Sequence, residues 1–189
     1  RLRAFLAAGI SWIQYRDKMS PRRVLYERAL HIRALTWLYG VQFIMNDHAD
    51  IAAAVDADGV HLGQDDLPIA AARKLVGQRI VGISTHSVVE AASAAAAGAD
   101  YIGFGPVFAT ATKDAGAPKG IAAIREVCDA VSIPVIAIGG ITAEQCLALF
   151  VAGASGVAVA SALSGSDPEE SVRHFLNVLR KGGEGAPLA

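Results

Sequence analysis

Several polar groups fall at spacings that suit anion and metal chemistry. In Gln14-Tyr15-Arg16-Asp17-Lys18 an amide and two cations occupy every second position. On an extended chain Gln14, Arg16 and Lys18 share one face. Arg offers a planar fork and Lys a point charge, so the trio can clamp a diphosphate; a solvated strand end with scattered charges fits the spacing equally well. Two further clusters end apolar runs: Met45-Asn46-Asp47-His48, and His61-Leu62-Gly63-Gln64-Asp65-Asp66. Asp47 and Asp66 suit one shared hard cation such as Mg²⁺, which takes one or two carboxylates and fills its other positions with water and phosphate oxygens. Either carboxylate can instead cap the helix that follows it. His61 reads as a packing or hydrogen-bonding group, His48 is open, and His31, His86 and His174 sit in no catalytic context.

Phosphate signals come later in the chain. Ser84-Thr85-His86 ends a run in hydroxyls, and Thr110-Ala111-Thr112-Lys113 follows Gly103-Phe104-Gly105-Pro106. Closely spaced hydroxyls with a Lys suit a phosphate or carboxylate, and glycines allow close backbone approach. The stretch Phe108–Lys119 lacks a regular pattern and is expected to be a mobile lid. Ile138-Gly139-Gly140-Ile141-Thr142 and Val159-Ala160-Ser161 close the last two apolar runs. The Gly pair serves either a phosphate-binding backbone or a tight turn only.

These clusters must be held by the elements before them. Short β-branched runs at Trp12–Arg16, Gln42–Met45, Gly59–Leu62, Ile80–Ser84, Tyr101–Gly103, Pro134–Ile138 and Gly156–Val159 predict seven strands. They are almost continuously apolar, as parallel strands covered on both sides are. Helical stretches lie between them at Pro21–Leu38, Pro68–Val76, Val88–Ala96, Ile121–Val131, Ala143–Val151 and Pro168–Leu179, with prolines suited to first turns. Ala97-Gly98-Ala99-Asp100 and Ala152-Gly153-Ala154-Ser155 repeat one helix-to-strand connection, and Ala8-Gly9-Ile10 is a shorter version. Repeated β–α units imply a parallel sheet, open or closed into a barrel. The phosphate signals favour a TIM (βα)8 barrel, with Arg1–Ala8 the end of a helix whose strand, the barrel's first, is missing from the chain. One domain is expected over residues 1–181, with a flexible tail at 182–189.

Composition narrows the function classes. The 17 basic and 18 acidic residues nearly cancel, which disfavours a nucleic-acid binder relying on a broad basic face. No apolar run approaches a membrane span. Cys128 and Cys146 are far apart within apolar helical patterns and are expected to be small buried hydrophobes. The expectation is a cytoplasmic protein acting on small molecules, with homo-oligomerisation left open.

Taken in order, the motifs resemble the thiamine-phosphate synthase family from about Gly9 to Leu163. The matching stretches are Gln14-x-Arg16-x-Lys18, Asn46-Asp47, Gly59-Val60-His61-Leu62-Gly63-Gln64-x-Asp66, Gly82-Ile83-Ser84-Thr85-His86, Gly98–Gly103, Thr110-x-Thr112-Lys113, Ile138-Gly139-Gly140-Ile141 and Ser161-Ala162. The resemblance implies a Mg²⁺-dependent transferase. It implies that Gln14, Arg16, Lys18 and Asn46 hold a pyrimidine diphosphate with Ser84 near it, and that Asp47 and Asp66 ligate Mg²⁺. Thr110, Thr112 and Lys113 would lie between the substrates, and Gly140, Ala160 and Ser161 would bind a thiazole phosphate. Arg16, Lys18, Ser84 and Lys113 are the groups it implies in catalysis. The diphosphate is implied to leave first, before the thiazole nitrogen attacks; cations and Mg²⁺ suit the departing charge. Departures are Ala109 and Ala111, where the family often has proline, and His48, where arginine is common. Rival readings are a thiazole tautomerase of the same fold, whose members typically lack the full diphosphate set, and a barrel that binds thiamine phosphate without turnover.

Overall fold

The computed structural model describes residues 1–110, 116–164 and 167–182, with nothing said of the side chains at 181 and 182. Its strands are β1 (Trp12–Tyr15), β2 (Gln42–Asn46), β3 (Gly59–Leu62), β4 (Ile80–Thr85), β5 (Tyr101–Phe104), β6 (Val135–Ile138) and β7 (Gly156–Ala158). The helices are α1 (Leu2–Ala8), α2 (Arg22–Tyr39), α3 (Ala49–Ala54), α4 (Ile69–Val76), α5 (Val88–Ala96), α6 (Gly120–Ala130), α7 (Ala143–Val151) and α8 (Pro168–Gly182), with a 3₁₀ turn at Ser161–Leu163. All seven strands are parallel and neighbour one another in chain order.

Strand alternation sorts side chains onto two faces. Phe43, Met45, Val60, Leu62, Val81, Ile102, Phe104 and Val157 are fully or almost fully buried beneath the helices. The other face lines a lumen, with Trp12 and Gln14 from β1, Ile44 from β2, His61 from β3, Tyr101 and Gly103 from β5, Ile136 and Ile138 from β6, and Ala158 from β7. The rings of Trp12 and Tyr101 meet edge to face at 5.1 Å although their strands are four apart in the sheet. Only a sheet curled on itself permits that contact.

Among the described residues β1 and β7 are not paired with each other. The helices close where the strands do not: α8 packs on α7 and also on α1, and α1 packs on α2. Among the described residues eight helices surround a sheet of seven strands.

The repeated connections have a physical purpose at their last residue. Asp58, just before β3, accepts the N–H of Phe43 at 2.7 Å and pairs with Arg33 at 2.8 Å. Asp100, just before β5, accepts the N–H of Val81 at 2.7 Å and pairs with Arg73 at 2.5 Å. Ser155, before β7, repeats this more weakly on Val135 at 3.4 Å. Each ties the amino end of one strand to the strand before it, at the end of the sheet opposite the polar clusters.

The elements follow the sequence pattern apart from shifts of a residue or so at most ends, a longer α8 and one additional short helix. α3 follows directly on the polar stretch Asn46-Asp47-His48 at the end of β2 and is too short to show a periodic face. Pro21 and Pro68 precede their helices as caps, whereas Pro168 opens α8. Cys146 is buried as expected, while Cys128 is half-buried; neither forms a disulfide. Among the described residues no helix is long and apolar enough to cross a membrane.

Asp100→Ala leaves the buried Val81 N–H without its acceptor, at a cost of roughly 1–3 kcal/mol. Differential scanning calorimetry is expected to show Tm falling by about 2–4 °C per kcal/mol; an unchanged Tm contradicts the strand-tying role.

Candidate functional site

The parallel arrangement brings the carboxyl ends of all strands to one rim, and most of the sequence-selected residues gather there. Gln14 lines the lumen. β1 ends at Tyr15, so Arg16 and Lys18 belong to the following turn, and strand alternation does not align them with Gln14. Asp17 organises that turn. Its carboxylate accepts the backbone N–H groups of Met19 (3.1 Å) and Ser20 (3.0 Å), pairs with Arg28 (2.7 Å) and accepts the Tyr15 hydroxyl (3.2 Å). The Ser20 side chain foremost, and then the Met19 and Ser20 main-chain N–H groups, hold its carboxyl well below the usual carboxylate range. Sequence reading missed Asp17; the signal was an Asp placed to receive main-chain N–H groups two and three residues on.

Asn46 is buried at the end of β2, in register with His61 on the same face. Asp47 follows it with φ 65°, in the left-handed region that Asp and Asn enter more readily than most residues, and its N–H is held by the His61 carbonyl at 2.8 Å. Such a conformation costs roughly 1–3 kcal/mol and is held by its surroundings. The Asp47 carboxyl lies 3.6 Å from the Lys18 ammonium. Burial first, and then contact with the Asp66 carboxyl, raise it above the ordinary carboxylate range, against the pull of Lys18 and Arg16. Asp66 does not cap α4, whose cap is Pro68; its Oδ2 accepts the Gly63 N–H at 2.7 Å, closing the turn after β3.

Two carboxyls from neighbouring strand ends thus stand side by side with a cation against one of them. Like charges so placed repel, and a hard divalent cation between them relieves that repulsion. Among the described residues no group of three or more His, Cys, Asp or Glu is placed to hold a metal. A two-carboxylate site is the type whose remaining ligands are water and phosphate oxygens.

Ser84, at the end of β4, shares a hydrogen bond of 2.8 Å with His61 Nε2, and His61 Nδ1 shares one of 2.9 Å with the Tyr101 hydroxyl. Burial pushes His61 down to about 4 and raises Tyr101. The neutral ring agrees with the sequence reading of His61 as a hydrogen-bonding group. Gly82 and Gly103, glycines inside strands, were the sequence signal for this close packing.

On the far side of the rim, Gly139 and Gly140 take φ 98° and 66°. A Cβ on Gly140 would collide with the Ala109 carbonyl, since Val107 and Phe108 hydrogen-bond back to Ile138 and Gly139 at 2.9 and 3.0 Å. Close backbone approach therefore requires glycine at position 140 whether or not a phosphate binds. Ala160 and Ser161 are exposed at the 3₁₀ turn after β7. Thr110 ends the described part of the loop after β5; Thr112 and Lys113 lie outside the described residues, as does the middle of the expected lid.

Comparison with known proteins identifies the family and the fold. The family model described as thiamine monophosphate synthase matches residues 1–163. The chain is 46% identical over 179 residues to a thiamine-phosphate synthase of Chloroflexus aurantiacus, covering 94% of this chain and 83% of that protein. It is 47% identical to one from Moorella thermoacetica, covering 95% and 87%. A solved structure of thiamine phosphate pyrophosphorylase from Pyrococcus furiosus superposes with a TM-score of 0.90 at 37% identity, covering 96% and 88% of the two chains.

The raised Asp47 carboxyl fixes a sign. The folded protein holds its proton more tightly than the unfolded chain does. Asp47 therefore lowers stability as pH rises from about 4, the unfolded value, through its raised folded value. In EDTA, Asp47→Asn is expected to melt above the parent near neutral pH and to lose that advantage in acid. Parallel melting curves at all pH values would exclude the carboxyl repulsion.

Proposed function

The chain belongs to the thiamine monophosphate synthase family, and we propose that it is a transferase forming thiamine phosphate from a pyrimidine diphosphate and a thiazole phosphate. The donor is 4-amino-2-methyl-5-hydroxymethylpyrimidine diphosphate. The acceptor is 4-methyl-5-(2-phosphoethyl)thiazole, as its carboxylate or decarboxylated form. The observation that supports this most is the Asp47–Asp66 carboxyl pair with Lys18 at 3.6 Å on the rim of an otherwise largely apolar lumen.

The site then divides in two. On the diphosphate side, Arg16 and Lys18 meet the phosphate oxygens from a turn held by Asp17, joined by Lys113 from the loop after β5. Asn46, Gln14 and Ser84 orient the pyrimidine over the lumen. Asp47 and Asp66 would hold Mg²⁺, which supplies neutralisation of the diphosphate charge when bound. The methylene C–O bond breaks, the electron pair leaves with the diphosphate, and the positive charge spreads over the aminopyrimidine. The thiazole nitrogen lone pair then forms the C–N bond; if the carboxylate was used, CO₂ leaves afterwards and the carbon that carried it takes up a proton from water. No general base is required, so the protein contributes position and charge complementarity. On the other side, Gly140, Ala160 and Ser161 hold the thiazole phosphate, with Thr110 and Thr112 between the two substrates.

Among the described residues β7 and β1 are not paired with each other, and a further strand between them would complete a (βα)8 barrel. An inserted strand would satisfy both unpaired edges.

Mixing both substrates with Mg²⁺ is expected to give thiamine phosphate and diphosphate in equal amounts, read by chromatography. Tight product binding without turnover would instead establish a non-catalytic binder. Isomerisation of the thiazole carboxylate alone would establish a tautomerase. Lys113→Ala is expected to lower kcat by about 10²-fold, the range for a lost group that stabilises developing charge; a change confined to the thiazole KM would refute its place on the diphosphate. Ser161→Asp is expected to raise the thiazole phosphate KM by like-charge repulsion while sparing the KM of the pyrimidine diphosphate; an unchanged thiazole KM would refute that subsite.

A further inference from the structure

The lumen floor carries a hydrogen-bonded chain of which the reaction as proposed uses only the end member, Ser84. Tyr101 on β5 reaches His61 Nδ1 at 2.9 Å, and His61 Nε2 reaches Ser84 Oγ at 2.8 Å. Tyr101 and His61 are buried, whereas Ser84 is half-buried at the rim. The rings are fixed from several sides. Trp12 meets Tyr101 edge to face at 5.1 Å, and a Cβ on Gly82 would collide with the Tyr101 ring. A Cβ on Gly103 would stand 3.1 Å from His61 Cε1.

Proton count decides the direction of the chain. A neutral imidazole donates from one nitrogen and accepts at the other. If His61 donated to Tyr101, the buried tyrosine O–H would have no acceptor, because His61 is its one hydrogen-bond partner among the described residues. An unpartnered buried donor is the costly arrangement, and no buried side-chain polar atom among the described residues lacks a partner. Tyr101 therefore donates to Nδ1, which puts the ring proton on Nε2 and makes Ser84 Oγ its acceptor. The Ser84 hydroxyl hydrogen is left at the half-buried end, where a ligand can reach it.

We infer that Tyr101 and His61 are positioning residues that hold Ser84 as a hydrogen-bond donor, so that the rim presents a hydrogen to an acceptor atom of the pyrimidine diphosphate. This rests on the proposed place of Ser84 beside that substrate. An arrangement of opposite polarity would make Ser84 an acceptor and favour a donor such as an exocyclic amine. The chain thus selects which edge of a heteroaromatic ring, or which phosphate oxygen, faces β4.

Two measurements on the full chain test this. Nitrogen-15 NMR of the ligand-free protein is expected to show His61 protonated at Nε2 and bare at Nδ1, with the signal perturbed in Tyr101→Phe. Protonation at Nδ1 would overturn the inference outright. In steady-state kinetics, Ser84→Ala and Tyr101→Phe are each expected to raise the KM for the pyrimidine diphosphate by about 3–10-fold, with the thiazole phosphate KM unchanged. Tyr101→Phe is expected to add nothing in the Ser84→Ala background, because it acts through Ser84. Additive effects, or equal changes in both KM values, would mean that the chain only fills the lumen. Absence of turnover in the parent protein would sink the synthase reading, while the NMR result would still judge the direction of the chain.

Discussion

Everything at this site depends on the register of the parallel strands. Side chains alternate between a helix-covered face and a lumen face, and a slip of one residue would exchange them. Burying Phe43, Met45, Leu62, Val81, Ile102 or Phe104 is worth about 1.5–3 kcal/mol each. That burial locks the register, and the locked register decides that Gln14, His61 and Tyr101 face inward. Sequential strand order then sends every carboxyl end to one rim. The functional side chains are thus placed by residues that touch no substrate, and the Asp58 and Asp100 ties secure the opposite end.

At the rim, electrostatics opposes the fold slightly and serves the chemistry. Two carboxyls that repel each other, one of them on a left-handed backbone, lie beside Lys18. Such a place is poorly satisfied until positive charge arrives, which is the property the proposed metal–diphosphate site requires. Asp17 does the reverse: its carboxylate is fully satisfied and stiffens the turn that carries Arg16 and Lys18.

The strands and most helices were legible because their apolar runs and glycine or proline boundaries are local signals. Asp47 and Asp66 were legible as polar breaks at strand ends, though nothing in the sequence showed that the two carboxyls touch. The short α3 was not legible, since six residues carry too little periodicity and the flanking Asn46-Asp47-His48 reads as a loop. The partners of His61 were not legible either. Tyr101 is 40 positions away, and its ring meets His61 across Gly82 of the strand between them, where any side chain would block the contact. Gly140 shows the opposite limit: the glycine was recognised, yet its left-handed conformation under Ala109 accounts for it on packing alone.

The central claim is that the ends of β1, β2 and β3 form a divalent-cation-dependent diphosphate site. Calorimetric titration with inorganic diphosphate tests it without relying on turnover. Binding is predicted to tighten at least about tenfold when Mg²⁺ replaces EDTA, and that gain is predicted to vanish in Asp66→Asn, since one of two carboxylate ligands is lost. Equal diphosphate affinity with and without Mg²⁺, or a gain that survives in Asp66→Asn, would contradict the account.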